Sequence, residues 1–423
     1  MRKPLASIMS GLLLLAAVVV PPLGIMAFGA SSMAVGVLLV VGLYLMLYVA
    51  MCTLHRSIQR LGGVVLFFSV ALVIIFIHGM LSFVINDTFN ISRFSQTYVF
   101  LIIFIFGASS LTILAMGLPV YMADFAVKFV FYTLLLSGFA TTLGYRAFDN
   151  PSAVVFFNEN SHYALSFGPF LLYMVVLSNL TKKLLFLILG FLIALSLQSL
   201  TLLVVVIAIF FLTLRLKKLL FFALIGITIL FTTIDYIDVG YYSSRIDFSD
   251  TNTNLSTLSF TNGWEKAFLN LKDSYGIGIG FQQLGFVGSE GEILQILKEM
   301  GFENLNLHDG NNVASKLLSE FGILAVMVLF AYFVYFARSA KWLHKVSVIE
   351  GKTVDCKKVF FLSCFFMFFI DLFIRGAGYF SSSGFLFIAS IVWFVLHPVS
   401  WAPSQEQLSD ECCAPLHSSA VFD

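Results

Sequence analysis

Apolar runs broken by short polar interludes make up most of the chain. A helix needs about 20 apolar residues to span the hydrocarbon core of a bilayer, and such runs fall near 7–28, 33–53, 62–85, 95–116, 125–142 and 162–179. Residues 184–214 are long for one span and short for two. Leu197-Gln198-Ser199-Leu200-Thr201 interrupts them, so they read either as two short helices meeting at a polar turn or as one tilted helix. Further runs lie near 219–235, 312–336, 359–375 and 383–397, giving twelve spans with the turn and eleven without it. The first run follows Met1-Arg2-Lys3 and is long enough to span, so it reads as a retained helix and not a cleaved leader.

Basic residues near helix ends set orientation, because short loops rich in Lys and Arg stay cytoplasmic. With twelve spans, Arg2/Lys3, Arg56/Arg60, Lys182/Lys183, Arg215/Lys217/Lys218 and the segment Arg338–Lys358 all fall on one side, which predicts two cytoplasmic termini. With eleven, the clusters at 182–183 and 215–218 would face opposite compartments, so orientation favours the turn. The expected architecture is an all-α, polytopic membrane helix bundle of about twelve transmembrane helices. Helices over 1–235 precede one large extracytoplasmic loop over 236–311, helices over 312–397 follow it, and 398–423 form a polar cytoplasmic tail. There is neither an internal repeat nor a long central connection of the kind that marks two-halved carriers. Within the loop, Trp264–Leu271 and Ile293–Met300 are amphipathic, fit to lie on the membrane surface or on neighbouring helices. The GIGIG stretch Gly276–Gly280 lacks the spacing of a nucleotide fingerprint and reads as a flexible turn.

Composition agrees with the pattern. Hydrophobic residues make up 59% and charged residues 11%, against about 25% charged in a soluble domain, and mean hydropathy is +0.96. A net charge of +1 gives no case for nucleic-acid binding, so an anionic ligand must be met by locally placed cations. The five cysteines fall in helices or on the expected cytoplasmic side and offer neither an outer disulfide nor paired metal-ligand spacing. Asp247 and Asp250 are three apart, but a hard cation needs about six oxygens and no further acidic cluster lies nearby, so no metal and no cofactor is expected.

Polar groups at membrane depth are costly and face a bundle interior or a watery cavity. Three constellations stand out on the expected outer side. Glu159 and His162, three residues apart at a helix start, suit either proton sharing and sugar binding or simple helix capping. His308 precedes a stripe of Asn312, Ser315 and Ser319, with Lys316 and Glu320 on its flank, which suits either a site wall or a capped helix with interhelical hydrogen bonds. Arg93, Arg146, Arg245 and Arg375 suit a diphosphate, since a guanidinium stays charged and grips phosphate oxygens in pairs. For Arg375 the alternative is a structural ion pair with Asp371, four residues before it, and Arg93 reads as a surface residue.

Several of these stretches together resemble the O-antigen polymerase (Wzy) family within the O-antigen ligase and polymerase superfamily. They are Glu159–Ala164 with Gly168–Phe170, Ser196–Thr201, Asn262–Gly280, Leu307–Ala325 and Phe373–Leu386, in the family's order over roughly residues 145–390. The resemblance implies a GT-C-like, metal-independent membrane glycosyltransferase at the periplasmic face of the bacterial inner membrane. It would join undecaprenyl-diphosphate-linked oligosaccharide repeat units, with a chain-length regulator as a further partner. In that scheme His308 assists the acceptor hydroxyl, with Glu159 and His162 as sugar binder or alternative base. Arg146, Arg245 and Arg375 hold the diphosphate, and Asn312 and Glu320 contribute to substrate binding. The hairpin arginine and the arginine before the loop tryptophan are missing here, with Lys266 and Lys272 as candidate replacements. The rivals are an O-antigen ligase acting on lipid A-core and, more distantly, a flippase or other transporter of lipid-linked glycans.

Overall fold

A computed structural model of the chain describes residues 2–29, 32–55, 62–145, 153–215, 217–218, 220, 239–249, 253–348 and 354–397. Among them the architecture is all-α, with only isolated bridges in place of strands. Helices α1 (Arg2–Phe28), α2 (Ala34–His55), α3 (Gly62–Ile85), α4 (Ile91–Gly117) and α5 (Val120–Thr142) match the first five apolar runs. These five and α13 (Ile323–Val348) make six helices long and apolar enough to cross a membrane. Their outward faces are apolar: Leu66 is 67% exposed, Val84 79% and Phe330 71%. In water such a surface would drive aggregation, whereas facing lipid tails it carries no penalty. The chain is thus built as a multi-pass helical membrane protein.

Helix α6 (Asn160–Leu177) runs through the middle of the bundle, with every residue from Tyr163 to Val176 buried. A helix apolar all round has no solvent face to present, and α6 is enclosed by α5, α7 (Leu180–Ser196), α8 (Leu200–Thr213), α13, α14 (Cys356–Phe373) and α15 (Ser382–Leu396). Close approach is made possible at Gly168, where an added Cβ would stand 3.1 Å from Met367 and 3.3 Å from Val205. Hydroxyls link helices across the bundle: Thr112 donates to Ala389 O (2.9 Å) and Tyr332 to Phe365 O (3.2 Å).

The stretch 184–214 forms two short helices. Helix α7 ends at Ser196, Gln198 takes a left-handed φ of 47°, and Ser199 caps α8 by accepting from Leu202 N at 3.3 Å. The run expected over 312–336 is also divided, into α12 (Val313–Phe321) and α13, at Gly322 with φ 56°. The cause lies in the preceding segment. Gly276–Gly280 docks against the break, with Ile279 N donating to Ser319 O, Gly280 N to Glu320 O and Ile323 N to Gly276 O at 2.8–3.0 Å. Backbones this close leave no room for side chains, since a Cβ on Gly322 would fall 2.0 Å from Gly276 O and one on Gly278 2.5 Å from Glu320 O. GIGIG is therefore a docking element and not merely a flexible link.

Before that turn lie α9 (Val239–Ile246) and α10 (Leu255–Asp273), and after it α11 (Glu292–Glu299). Helix α10 packs on α12 through its small and polar side, with Ala267 buried and Asn270 Nδ2 donating to Ser319 Oγ, while Phe268 on its apolar side is 63% exposed. The span near 219–235, apart from residue 220, and the tail 398–423 lie outside the described residues, as do Arg56, Arg60 and Arg146.

Candidate functional site

A cavity of about 900 Å³ opens at one end of the bundle. Its walls come from the entry to α6 (Asn158–Ser161), the α7–α8 turn (Leu197–Thr201), helices α9 and α10, and the paired turns at Asn311 and Ile374–Arg375. Segments far apart in sequence meet here, and each is pinned. Asn160 Nδ2 donates to Leu197 O at 2.6 Å, joining α6 to the α7–α8 turn. Tyr241 Oη donates to Gln198 O, and Thr257 Oγ1 to Arg245 O at 3.1 Å, which seats α9 over the opening. Gly376 N donates to Asn311 O at 2.8 Å.

Arg375 lies in the turn between α14 and α15, and its position is set by Asp371 in a way the spacing did not disclose. The Asp371 carboxylate is fully buried and accepts from Ala377 N (2.9 Å) and Ser383 Oγ, so it braces the turn instead of pairing with Arg375. Arg375 turns outward, donating Nη2 to Glu159 Oε2 at 3.2 Å and Nη1 to Asn311 Oδ1. Glu159 holds the N-cap position of α6 but makes no capping hydrogen bond with its side chain. Its carboxylate accepts from Ser161 Oγ at 2.9 Å and from Arg375. Burial alone would raise the Glu159 carboxyl, but the His162 and Arg375 charges and these hydrogen bonds outweigh it and bring it down to about 2.

Arg245 stands on the α9 wall with its guanidinium 4.4 Å above the Tyr241 ring. Its Nε has no hydrogen-bond partner among the described residues. Two non-glycine residues with left-handed backbone line the cavity, Gln198 (φ 47°) and Asn311 (φ 61°). Asn tolerates that conformation better than Gln does, and strained backbone held by its surroundings is common where a site is pre-shaped.

Of the residues singled out from sequence, Glu159, Arg245 and Arg375 line this one cavity. His162 sits one turn into α6 with Nδ1 2.8 Å from Asn158 Oδ1, and does not line it. His308 is exposed on the segment leading to Asn311, its ring stacked on Phe286 with centroids 4.7 Å apart. Its Nδ1 lies 3.1 Å from Leu284 O. A carbonyl only accepts, so Nδ1 carries the proton and the Nε2 of the neutral ring is the acceptor. Arg93 is half-buried, with its guanidinium carbon 5.8 Å from the centroid of that same Phe286 ring and a 3.4 Å hydrogen bond to Gln282 Oε1, so it is tied into the structure. Asn312 caps α12 by accepting from Ser315 N at 2.8 Å, and Glu320 accepts from Tyr379 Oη at 2.9 Å. Both are fully buried and do not line the cavity.

Tyr241, Asn311 and Phe260 line the cavity without having been singled out as site residues. The Tyr241–Arg245 pair was open to inspection, because residues four apart share a helix face. Asn311 had a weaker signal in the consecutive Asp309-Gly310-Asn311, residue types that accept left-handed turns.

At the opposite end of α7 and α8, a pocket of about 280 Å³ gathers Lys183, Arg215 and Lys218 around the end of α13. Lys183 donates to Ser347 O and Oγ, and Arg215 to Val348 O at 3.1 Å. The basic clusters at 182–183 and 215–218 thus share one end of the bundle, and the cavity occupies the other. The chain matches no protein-family model, and no curated protein matches it.

Proposed function

We propose that the chain is a metal-independent membrane glycosyltransferase of the O-antigen polymerase kind. It joins undecaprenyl-diphosphate-linked oligosaccharide repeat units at the outer face of a bacterial inner membrane. The observation that carries this reading is the convergence of Arg245 and Arg375 on one cavity of about 900 Å³ together with a single ionised carboxylate, Glu159. A diphosphate leaving group needs fixed cations where charge develops. Arg245, with an unpartnered Nε, and Arg375, oriented by Glu159 and Asn311, supply them. The polar walls around Gln198, Ser199 and Thr257 offer hydrogen bonds to sugar hydroxyls.

In this scheme the acceptor hydroxyl passes its proton to a base as its oxygen attacks the anomeric carbon of the donor. The bond from that carbon to the diphosphate oxygen breaks, and the released charge is held by the two guanidiniums. Glu159 is a weak base because its proton affinity is low and its oxygens are taken by Arg375 and Ser161. Its role is to hold Arg375 and receive a sugar hydroxyl. His308 is the better-placed base, since its Nδ1 is held by Leu284 O and its Nε2 makes no hydrogen bond among the described residues. Three residues of extended chain, roughly 10 Å at most, separate His308 from Asn311 at the cavity wall.

The test is reconstitution of purified protein with lipid-linked repeat units and no added metal, reading oligomers on a gel. Arg245→Ala and Arg375→Ala should each slow chain growth by about 10²-fold or more, the usual cost of losing one donor to a developing charge, while leaving the protein folded. Wild-type ladders from both variants would overturn the assignment. In cells, a deletion strain carrying one repeat unit on the core fits this activity, and one carrying none fits transfer of finished chains to lipid A-core instead.

A further inference from the structure

Helix α10 borders two cavities. Ser256, Thr257 and Phe260 face the one described above, while Lys266 and Asn270 face a second of about 260 Å³. Phe260 and Lys266 are roughly 9 Å apart along the helix at 1.5 Å per residue. The segment that brings Asn311 to the first cavity brings Asn304 and Leu307 to the second.

The deep wall of this second cavity carries two polar groups without partners. Lys266 is only 6% exposed, yet its ammonium makes no hydrogen bond and no ion pair among the described residues. Asn270 is 1% exposed; its Nδ2 donates to Ser319 Oγ, and its Oδ1 has no hydrogen-bond partner among the described residues. Gly288, with φ 105°, packs so closely that a Cβ there would fall 2.1 Å from Asn270 Oδ1, so only glycine fits against that side chain. A buried ammonium lacking a counter-ion is costly, and such groups are normally paired.

The nearby carboxylates are engaged elsewhere or stand at the rim. Glu290 pairs with Lys298 at 2.6 Å, Glu265 accepts from Glu292 N and Ile293 N at 2.8 and 3.0 Å, and Asp273 accepts from Ser289 Oγ. Glu303 is exposed at the mouth. Phe286 adds an aromatic wall, with His308 stacked on its ring.

We propose that this cavity is a binding subsite for a carboxylate-bearing sugar. The carboxylate pairs with Lys266 Nζ, a hydroxyl or amide N–H of the sugar donates to Asn270 Oδ1, and the apolar face of the ring lies on Phe286. Lys298 on the same lining is held by Glu290 at 2.6 Å, so Lys266 is the cation left to match one negative charge, whereas a phosphate dianion would set a second charge against Glu303. A neutral sugar would leave the ammonium without a direct ion pair, with only the charges of Glu290 and Glu265 beyond contact to offset it. That the sugar belongs to the acceptor glycan rests on the function proposed above; the subsite itself does not. Its position beside Phe286 would bring an acidic acceptor sugar up to His308.

The test uses the full-length protein in lipid nanodiscs with free D-glucuronate, D-glucose and inorganic phosphate as probes, read by saturation-transfer NMR and calorimetry. Glucuronate should bind saturably, at least about tenfold more tightly than glucose, the scale of one charge-assisted contact. Lys266→Met should lose that margin. Burial brings the Lys266 ammonium down to about 8, Glu290 opposing, Lys298 adding to the fall and Glu265 opposing. Glucuronate affinity should therefore decline as pH rises through about 8. Should Lys266→Met misfold, protection of Lys266 from amine acetylation by glucuronate, and not by glucose, gives the same answer in the wild type. Equal affinity for glucose, equal competition by phosphate, or undiminished binding by a folded Lys266→Met would overturn the subsite. Arg375→Ala should keep glucuronate binding while losing chain growth. Glucuronate binding without oligomer formation by wild type would sink the polymerase reading alone, and oligomers without glucuronate binding would sink the subsite alone.

Discussion

Glu159 shows how a position that looks like routine capping is turned to another use. Its carboxylate ignores the free N–H groups of α6 and faces Arg375, 3.2 Å away. Its proton affinity falls from the ordinary 4.5 to about 2, which makes it a stabilising group with a definite pH window. Because the folded value is the lower one, the stabilisation is complete above 4.5 and is lost as pH falls from there towards about 2. The melting temperature of Glu159→Gln in detergent should lie below wild type at neutral pH, and the gap should close as acid is added across that range. A gap independent of pH would mean that the charge is not the source. Sequence spacing misled at Asp371 and Arg375 for a physical reason. Four residues put two side chains on one face only if the helix continues, and α14 ends at Phe373. Asp371 thus braces the turn, and Asp371→Ala should cost chain growth that Asp371→Asn largely restores, since an amide oxygen still accepts from Ala377 N.

Among the elements, the apolar runs were legible because length and hydropathy decide them locally, and the α7–α8 turn was legible because basic clusters on either side demanded it. The division between α12 and α13 was hidden. Gly322 sits inside a stretch that reads as one span, and what breaks the helix there is the docking of Gly276–Gly280, more than forty residues earlier in the chain. A glycine whose Cβ would strike a carbonyl gives a sharp test. Gly278→Ala must take φ 91° and place a methyl 2.5 Å from Glu320 O. The backbone term alone is about 1–3 kcal/mol, so Gly278→Ala should loosen the segment and expose Ser274–Gly291 to limited proteolysis. Gly62→Ala, with nothing within 4 Å of its added carbon, should leave the digestion pattern unchanged. Of the candidate site, the individual cations and carboxylate were visible in sequence, but the partition between two cavities was not. It depends on α10 turning Phe260 one way and Lys266 the other, and on where His308 comes to rest against Phe286.

For the molecule as a whole, polar chemistry is polarised between the two ends of the bundle. Among the described residues, three cations and no carboxylate line the pocket beside the end of α13, and the arginines with Glu159 gather beyond the α7–α8 turn. If the positive end faces the cytoplasm, single cysteines placed at the exposed Ser243 and Lys217 of a cysteine-free variant should react from opposite sides in sealed vesicles. Labelling of both by one impermeant reagent from one side would refute that orientation. The two helices between these ends are short. Seventeen residues in α7 and fourteen in α8 reach roughly 26 and 21 Å at 1.5 Å per residue, against about 30 Å of hydrocarbon. Each is therefore shorter than a full span, and Gln198 at their shared bend lines the cavity. On the function proposed above, a polyprenyl carrier sliding sideways through the leaflet would reach the cavity at that bend, so that docking requires no hoisting of a greasy tail into water.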